Sequence, residues 1–391
     1  MPLWIIYVIE RNQLKLKVLF ICGSLEPGHD GVGDYTRRLA GELIRKGNEC
    51  VIISLNDKSV AEVITEKQVD ENLHIVTHRL PRNLPWKIRT EYLKDLVQEY
   101  DPNWISLQYV PFAYHHKGLP YLFSKRILKS IFGRNLHMMF HELWVDNENL
   151  KLRILSLLQK YIIHQTVGSL KPAIIHTHLP RYFKNLQTIS PRIYTLPLFS
   201  NFKIQKELQS IDTGIFTIAF FNLISDKDEV IDFLRQMETE LKEMKIKMEI
   251  LLIGGATKKL EAFKDLLSSR YLFTGKISCS GFVDADNISA ILQSCSLGIT
   301  PLSSSFIGKS GTSIAFLSNG VPLAVPIWDN IAPPFFNTGL EKALLRSPNL
   351  NEYKLCREAA IAERRSINID LIAENFIHDL DSYGKKKHVQ V

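Results

Sequence analysis

The chain has 391 residues, of which 45% are hydrophobic, and its 48 Lys and Arg against 41 Asp and Glu give a net charge of +7. This length and composition exclude a disordered or fibrous protein and favour two folded domains over one. The positive charge favours an anionic partner: a nucleotide, a phospholipid or a nucleic acid. We expect no nucleic acid, because the sequence lacks the interleaved aromatic and basic residues that single strands require.

The cysteines and the first residues bear on the compartment. The five cysteines are scattered and form no C-x-x-C pair. We therefore expect no disulfide framework, no metal site and a reducing cytoplasm. The apolar run at residues 3–9 is too short to span a bilayer and lacks a small-residue cleavage site, so it is an edge strand or a non-native start.

In the first half, strand-length apolar runs alternate with helical patterns, which predicts parallel βαβ units. The predicted strands are residues 17–22, 49–54, 73–77, 104–109, 136–140, 173–176 and 192–196. The clearest helix, residues 34–46, follows a glycine-rich loop at residues 23–33. This position, after the first strand, is where open α/β sheets bind ligands. The glycine spacing does not fit the G-x-G-x-x-G fingerprint and Asp57 is poorly placed for a ribose, so NAD is not favoured.

The alternation of strand-like and helix-like segments breaks at residues 194–202. The polar segment that follows predicts a domain boundary. We expect an N-terminal domain at 1–200, a C-terminal domain at 201–360, and terminal helices at 361–391 that pack back toward the N-terminal domain and end in a solvated basic tail. The second series has predicted strands at residues 216–221, 248–253, 271–274, 297–300 and 322–326, and predicted helices at 228–244, 259–269, 287–294 and 312–318.

The segment at residues 308–313, Gly-Lys-Ser-Gly-Thr-Ser, opens a predicted helix between two strands. Unpaired amides and the positive end of the helix dipole favour a phosphate there, and Lys309 adds a full charge. Ser303 stands where a P-loop requires glycine, so this is not a Walker motif. The alternative is a helix capped by Thr312 or Ser313 that binds nothing.

Four segments occur in an order typical of one family. They are Gly-Val-Gly-Asp-Tyr-Thr-Arg-Arg-Leu-Ala at residues 31–40, Gln-Tyr-Val-Pro-Phe-Ala-Tyr at 108–114, His-Glu-Leu-Trp at 141–144 and Asn-Gly-Val-Pro at 319–322. From about residue 17 to 326 the chain resembles the nucleotide-sugar glycosyltransferases of GT-B fold, in the large group of bacterial polysaccharide and sucrose synthase-like enzymes. The resemblance implies an α/β protein with two facing Rossmann-like parallel-sheet domains and a ligand cleft between them. It also implies a nucleoside diphosphate sugar as donor, without a metal or other cofactor.

The same resemblance assigns site residues. The expected donor-binding residues are Gly31, Val32, Gly33, Lys227, Gly308, Lys309, Ser310, Gly311, Thr312 and Ser313. The candidate catalytic residues are His141, Glu142 and Asp34, and the acceptor-side residues are His29, Asp30 and Tyr109. A histidine suits proton transfer because its pKa lies near working pH. The alternatives are that His141 is a structural group and that Gly31 and Gly33 only form a tight turn; His176 and His178 are secondary candidates.

Two features depart from the family pattern. Retaining members carry two glutamates eight residues apart, and Ile307 and Ala315 stand at those places. Of the family's Arg and Lys pair, only Lys227 is present. The expected function is transfer of a sugar to a glycan, lipid-linked or other hydroxyl acceptor in polysaccharide or glycoconjugate synthesis. The alternatives are a nucleotide-sugar epimerase or other enzyme of this fold, and a non-catalytic nucleotide-sugar-binding module.

Basic and apolar residues alternate over residues 117–134, which predicts a basic amphipathic helix. Such a helix lies on an anionic membrane or packs on a core with its charged face outward. We expect a cytoplasmic protein, located at the inner face of the membrane if the first alternative holds.

Overall fold

The structure is a computed structural model that describes residues 15–146, 149–205, 214–254 and 257–389. These residues form an eight-stranded sheet followed by a six-stranded sheet. The apolar run at residues 3–9 lies outside the described residues.

The first sheet has the order β3-β4-β2-β1-β5-β6-β7-β8, and only the β3–β4 pair is antiparallel. Its strands are β1 (Lys17–Cys22), β2 (Glu49–Asp57), β3 (Ile64–Asp70), β4 (Leu73–Pro81), β5 (Trp104–Tyr109), β6 (Asn135–Phe140), β7 (Ile174–Thr177) and β8 (Ile193–Thr195). The helices of this half are α1 (Gly31–Arg45), α2 (Trp86–Tyr100), α3 (Pro111–Tyr114), α4 (Phe123–Leu128), α5 (Leu150–Leu170) and α6 (Pro180–Leu186). The central strands are almost wholly buried, which explains their continuous apolar runs.

The second sheet is parallel throughout, in the order β11-β10-β9-β12-β13-β14. Its strands are β9 (Ile215–Phe221), β10 (Lys247–Ile253), β11 (Lys276–Gly281), β12 (Leu297–Ile299), β13 (Leu323–Ala324) and β14 (Leu344–Leu345). The helices are α7 (Asp228–Glu243), α8 (Thr257–Ser269), α9 (Ala285–Ser294), α10 (Gly311–Ser318), α11 (Thr338–Glu341), α12 (Leu350–Glu363) and α13 (Ile369–Val389), with 3₁₀ helices at Ser304–Lys309 and Arg364–Ile367. The predicted α/β architecture of two predominantly parallel sheets is confirmed.

Two edge strands differ from the prediction. Strand β3 was not predicted, because its sequence is polar and it pairs only with β4. The strand predicted at residues 271–274 is wrong: this segment is irregular, and β11 begins at Lys276. Tyr271 and Phe273 lie outside the second sheet but pack against the hydrophobic core beside it, which accounts for the apolar character of this segment.

Two other segments also differ. Instead of one helix over residues 117–134, the chain forms only the six-residue α4, because turns at Gly118 (φ 63°) and Gly133 (φ 83°) bound it. The expected solvated tail at residues 384–388 is part of α13.

Helix α13 comes last in the chain but lies against the first sheet. The Phe376 ring lies 6.2 Å from that of Phe20 in β1, and Lys46 Nζ lies 3.0 Å from Glu374 Oε1. The core that contains both phenylalanines also takes in residues of the second half, among them Phe316. The sheets divide the chain between β8 and β9; that each half folds as an independent domain stays a prediction.

Candidate functional site

A cavity of about 450 Å³ lies where the carboxyl ends of the first sheet's strands meet the start of α10. Eight predicted site residues line it: His29, Asp30, Gly31, Val32, His141, Glu142, Lys309 and Gly311. Residues 1–200 supply six of them and the second half supplies Lys309 and Gly311, so the pocket lies between the two halves.

A second cavity, of about 580 Å³, lies beside the ends of β9, β10 and β11. Asn222 and Gly254, which directly follow β9 and β10, line it, and Asn201 lines both cavities. Asp34 lies in this second cavity rather than the first. Its Oδ1 accepts hydrogen bonds from Arg37 Nη1 at 2.6 Å and from the Gly28 amide at 3.1 Å, so the proposed catalytic carboxylate is already paired.

The start of α1 differs from the prediction. The helix begins at Gly31 rather than residue 34, because the Asp30 carboxylate caps it by accepting the Gly33 amide at 2.8 Å. A Cβ at Gly31 would meet no atom within 4 Å, whereas one at Gly33 would lie 2.6 Å from the Ser24 carbonyl oxygen. Gly31 therefore leaves room for a ligand, and Gly33 is required for packing. Burial raises the pKa of the Asp30 carboxyl.

Helix α10 begins at Gly311, and its cap is Ser310 rather than Thr312 or Ser313. The Ser310 hydroxyl accepts the Ser313 amide at 3.2 Å and lies 3.1 Å from the Thr312 hydroxyl. A Cβ at Gly308 would lie 2.8 Å from the Pro334 carbonyl oxygen, so this glycine serves packing. Within residues 308–313, Lys309 and Gly311 are the two that reach the pocket.

Lys309 crosses from the second half to the first. Its Nζ lies 3.4 Å from Glu142 Oε1, 3.4 Å from the Tyr182 hydroxyl and 5.2 Å from the centre of the Phe306 ring. Burial opposes its charge, but Tyr182 and Glu142 outweigh burial and raise the pKa of Lys309. A cation therefore stands in the pocket, and an anionic ligand there would compete with Glu142 for it.

His141 follows β6 and is 7% exposed. Its Nε2 lies 2.9 Å from Gln108 Oε1 and its Nδ1 lies 3.0 Å from His178 Nε2. Burial lowers the pKa of His141 well below the usual value and that of His178 to about 4. Because both ring nitrogens of His141 are engaged, an acceptor hydroxyl could bond to the ring only by displacing one of these partners.

The other predicted residues lie elsewhere. Tyr109 is fully buried, with its ring 5.4 Å from that of Phe140 in the first sheet's core, and it does not line the pocket. Lys227 is exposed and lines neither cavity. Sequence reasoning missed Gln108 as a pocket residue. Successive strand residues point to opposite faces, so a core position for Tyr109 would have directed Gln108 to the other side.

Ile307 and Ala315, which occupy the places of the family's glutamates, are fully buried. The carboxylates that line the pocket are Asp30 and Glu142, both from the first half. Among the described residues, no group of three or more His, Cys, Asp or Glu side chains is placed to hold a metal ion. Over the same residues, no helix combines the length and the apolar character needed to cross a membrane.

Several solved structures resemble the chain over nearly its whole length. A glycosyltransferase from Rickettsia africae ESF-5 has 12% sequence identity and a TM-score of 0.61, covering 95% of this chain and 99% of that one. An α,α-trehalose 6-phosphate synthase from Burkholderia multivorans has 10% identity and a TM-score of 0.61, covering 96% and 98%. A proposed UDP-N-acetylglucosamine 2-epimerase from Listeria monocytogenes has 12% identity and a TM-score of 0.54, covering 95% and 97%.

No protein-family model matches the chain, and no curated protein matches it by sequence. At identities of 10–12%, the likeness establishes the fold. The chain has the GT-B fold, as the sequence motifs predicted.

Proposed function

We propose that this protein is a glycosyltransferase that moves a sugar from a nucleoside diphosphate donor to a hydroxyl acceptor. The observation that carries the proposal is the Lys309 cation, set beside Gly311 at the start of α10 and facing Asp30 and Glu142 across one pocket. The GT-B fold supports it, because neighbours of this fold include a glycosyltransferase and a trehalose 6-phosphate synthase.

The donor would span both cavities. Its nucleoside would occupy the larger cavity beside Asn222 and Gly254, and its diphosphate would reach Lys309 and the start of α10 near Asn201, which lines both. Transfer breaks the bond between the sugar carbon and the diphosphate oxygen, so negative charge grows on the leaving group. Lys309 and the positive end of the helix dipole would stabilise this charge, and we propose that neither a metal nor another cofactor is needed.

The acceptor would enter from the first half. When the diphosphate takes Lys309, Glu142 loses its ion pair and becomes free to accept the proton of the acceptor hydroxyl. Asp30 is the second carboxylate within the pocket, and the open space at Gly31 would admit the sugar. We propose that His141 supports this site from behind.

We further propose an acceptor in polysaccharide or glycoconjugate synthesis that is linked to lipid, and contact with an anionic bilayer at its cytoplasmic face. Helix α5 supports this proposal, because a row of apolar side chains along one face is exposed: Leu150 (72%), Ile154 (54%), Leu157 (59%), Leu158 (43%) and Tyr161 (61%). Lys151, Arg153 and Lys160 flank the row. Apolar residues flanked by cations are typical of helices that lie on anionic membranes.

A donor screen tests the transfer. Purified protein is incubated with UDP-, GDP- and ADP-sugars, with and without glycan or lipid-linked acceptors, and both nucleotide release and the sugar product are followed. Acceptor-dependent release is expected. A sugar isomer formed from donor alone would instead identify an epimerase, and donor binding without any turnover would identify a binding module.

Vesicle sedimentation tests the membrane contact. With vesicles containing phosphatidylglycerol at low salt, the double variant Ile154→Asp, Leu157→Asp should bind more weakly by roughly 1 to 3 kcal/mol, since two apolar side chains no longer insert. Leu355→Asp on α12, at a residue that is 66% exposed, is the matched control. Wild-type protein that stays in the supernatant would exclude the contact.

A further inference from the structure

Four histidines, two of which line the pocket, are joined by hydrogen bonds into one line, which we call the histidine chain. From one end to the other its contacts are Leu196 O–His178 Nδ1 (2.9 Å), His178 Nε2–His141 Nδ1 (3.0 Å), His141 Nε2–Gln108 Oε1 (2.9 Å), Gln108 Nε2–Ser106 Oγ (2.8 Å), Ser106 Oγ–His137 Nδ1 (2.8 Å), His137 Nε2–His176 Nδ1 (2.9 Å) and His176 Nε2–Asp379 Oδ2 (3.0 Å). All of these side chains except Asp379 are buried. The histidine chain thus runs from the pocket to α13.

The histidine chain needs one more proton than its groups hold when they are neutral. Each of the seven contacts requires one hydrogen. A neutral imidazole, a hydroxyl and an amide that donates on one side and accepts on the other each supply one, so the four histidines, Ser106 and Gln108 supply six. Both ends, the Leu196 carbonyl and the Asp379 carboxylate, are acceptors. One additional proton must therefore be bound if every contact is made.

The orientation of the Gln108 amide decides where this proton lies. With Oε1 toward His141, every contact from Gln108 to Asp379 is satisfied by neutral groups, and the His141–His178 pair must carry the proton between two acceptors. With the amide turned over, its NH₂ donates to His141. The His141–His178 pair then makes its contacts in the neutral form, and the additional proton lies on the His176–Asp379 pair. The two arrangements have the same shape and differ in which pair is protonated.

We propose that the His141–His178 pair is a cationic site for the donor's diphosphate, charged by a proton that the His176–Asp379 pair holds in the absence of donor. This inference rests on the proposed diphosphate site at Lys309. One proton leaves His176–Asp379 and one proton binds His141–His178, so the number of protons on the protein does not change. A charge then appears beside the pocket only when an anion is there to stabilise it.

The surroundings of the two pairs fit this assignment. Tyr35 of α1 contacts both pocket rings, with ring centres 4.9 and 5.4 Å away, and Lys309, Lys58, His29, Asp30 and Glu142 line the same pocket. Burial lowers the pKa of both pocket histidines, and Lys309 lowers that of His178 further. Facing His176 are His137, Tyr194, Phe376 and the Asp379 carboxylate. Without an anion in the pocket, the Asp379 carboxylate favours the proton at the His176–Asp379 pair.

Nitrogen-15 NMR of the histidine rings and carbon-13 NMR of the Asp379 carboxyl show where the additional proton lies in the absence of donor. The measurement uses the full-length protein near pH 7.5. A proton on the His176–Asp379 pair is expected, seen as an imidazolium at His176 or a protonated carboxyl. In Asp379→Asn this proton should disappear while the fold is unchanged, because the asparagine NH₂ can supply the seventh hydrogen. Neutral rings throughout with an ionised Asp379 in the wild type would overturn the proposal.

Inorganic pyrophosphate is the probe for the transfer of this proton to the His141–His178 pair. Its binding, detected at the Gly311 amide, should move the imidazolium signal to His141 or His178. An unchanged His176 signal with pyrophosphate bound would overturn the proposal while leaving the diphosphate site standing. An unaffected Gly311 amide would overturn both.

Calorimetry in buffers of different ionisation enthalpy adds a count of protons. Pyrophosphate binding to Asp379→Asn should take up one proton more than binding to the wild type, so its affinity should fall relative to the wild type by about tenfold per pH unit as the pH rises above neutral. The control Glu374→Gln removes another carboxylate of α13, one paired with Lys46, and should behave as the wild type. Equal proton uptake by all three proteins would contradict the transfer.

Discussion

Two helices start at the same pocket, and their ends are built differently. Helix α1 is capped by the Asp30 carboxylate, whereas α10 is capped by the Ser310 hydroxyl and preceded by Lys309. The first end therefore adds negative charge to the pocket, and the second presents a neutral cap with a cation. This difference is the reason we propose that the diphosphate lies at α10, and that the sugar and the acceptor hydroxyl lie at α1.

Glu142→Gln tests the acceptor side of this comparison most severely. Loss of the proposed base should lower the transfer rate by roughly 10²- to 10⁴-fold. Donor binding should be kept or strengthened, because Lys309 loses its competing carboxylate. Glu91→Gln, on the exposed side of α2, is the control, and a variant with wild-type turnover would remove Glu142 from catalysis.

A second test concerns the pH dependence of stability, which depends on whether His178 is neutral in the folded protein. The folded pKa of His178 is about 4, against roughly 6.5 in the unfolded chain, so the unfolded form binds more protons between these values. The free energy of unfolding should therefore fall as pH falls through this window, by roughly 3 kcal/mol at pH 4. Urea unfolding of the wild type and His178→Asn measures it, and equal pH slopes would contradict a neutral His178.

The two glycines of α1 form a matched pair. Gly33→Ala should destabilise the fold by about 1 to 3 kcal/mol, because the new methyl group meets the Ser24 carbonyl. Gly31→Ala meets nothing and should keep its melting temperature, so any loss of transfer would report contact with the ligand. Equal stability of the two variants would show that the packing at Gly33 can relax.

Lys309→Ala should have the smallest effect, weakening nucleoside diphosphate binding by about 1 to 2 kcal/mol through loss of one charged hydrogen bond. Calorimetry with the nucleotide selected by the donor screen measures this loss. Lys354→Ala on the exposed face of α12 serves as the control. Unchanged affinity would mean that the diphosphate does not lie at α10, and the contrast between the two helix ends would lose its meaning.

Much of the fold could be predicted from the sequence because the central strands are buried on both faces. β1 and β5 lie at the predicted residues, since only a continuous apolar run is compatible with such burial. The edge strands β3 and β11 are polar, and tertiary pairing rather than local pattern places them.

The lining of the pocket was predictable in part, where a local segment of the sequence supplies it. Residues 29–32 and 141–142 could be found because each follows a strand end. The contacts of His141 with Gln108 and His178 join residues 33 and 37 positions away, and the sheet order that creates them is not written in any local motif. The charge of Lys309 at the start of α10 was predicted, but the caps Asp30 and Ser310 were not, because each depends on the residue at which its helix begins.

The position of α13 has a consequence for how the protein is made. Phe376 and Leu380 belong to the same core as Phe20, although more than 350 residues separate the two ends of this contact. During synthesis the first sheet can emerge from the ribosome and pair its strands, but it lacks part of its core until the last helix has been translated. Chains that stop before α13 should therefore leave the first sheet with an exposed apolar face, a substrate for chaperones and proteases.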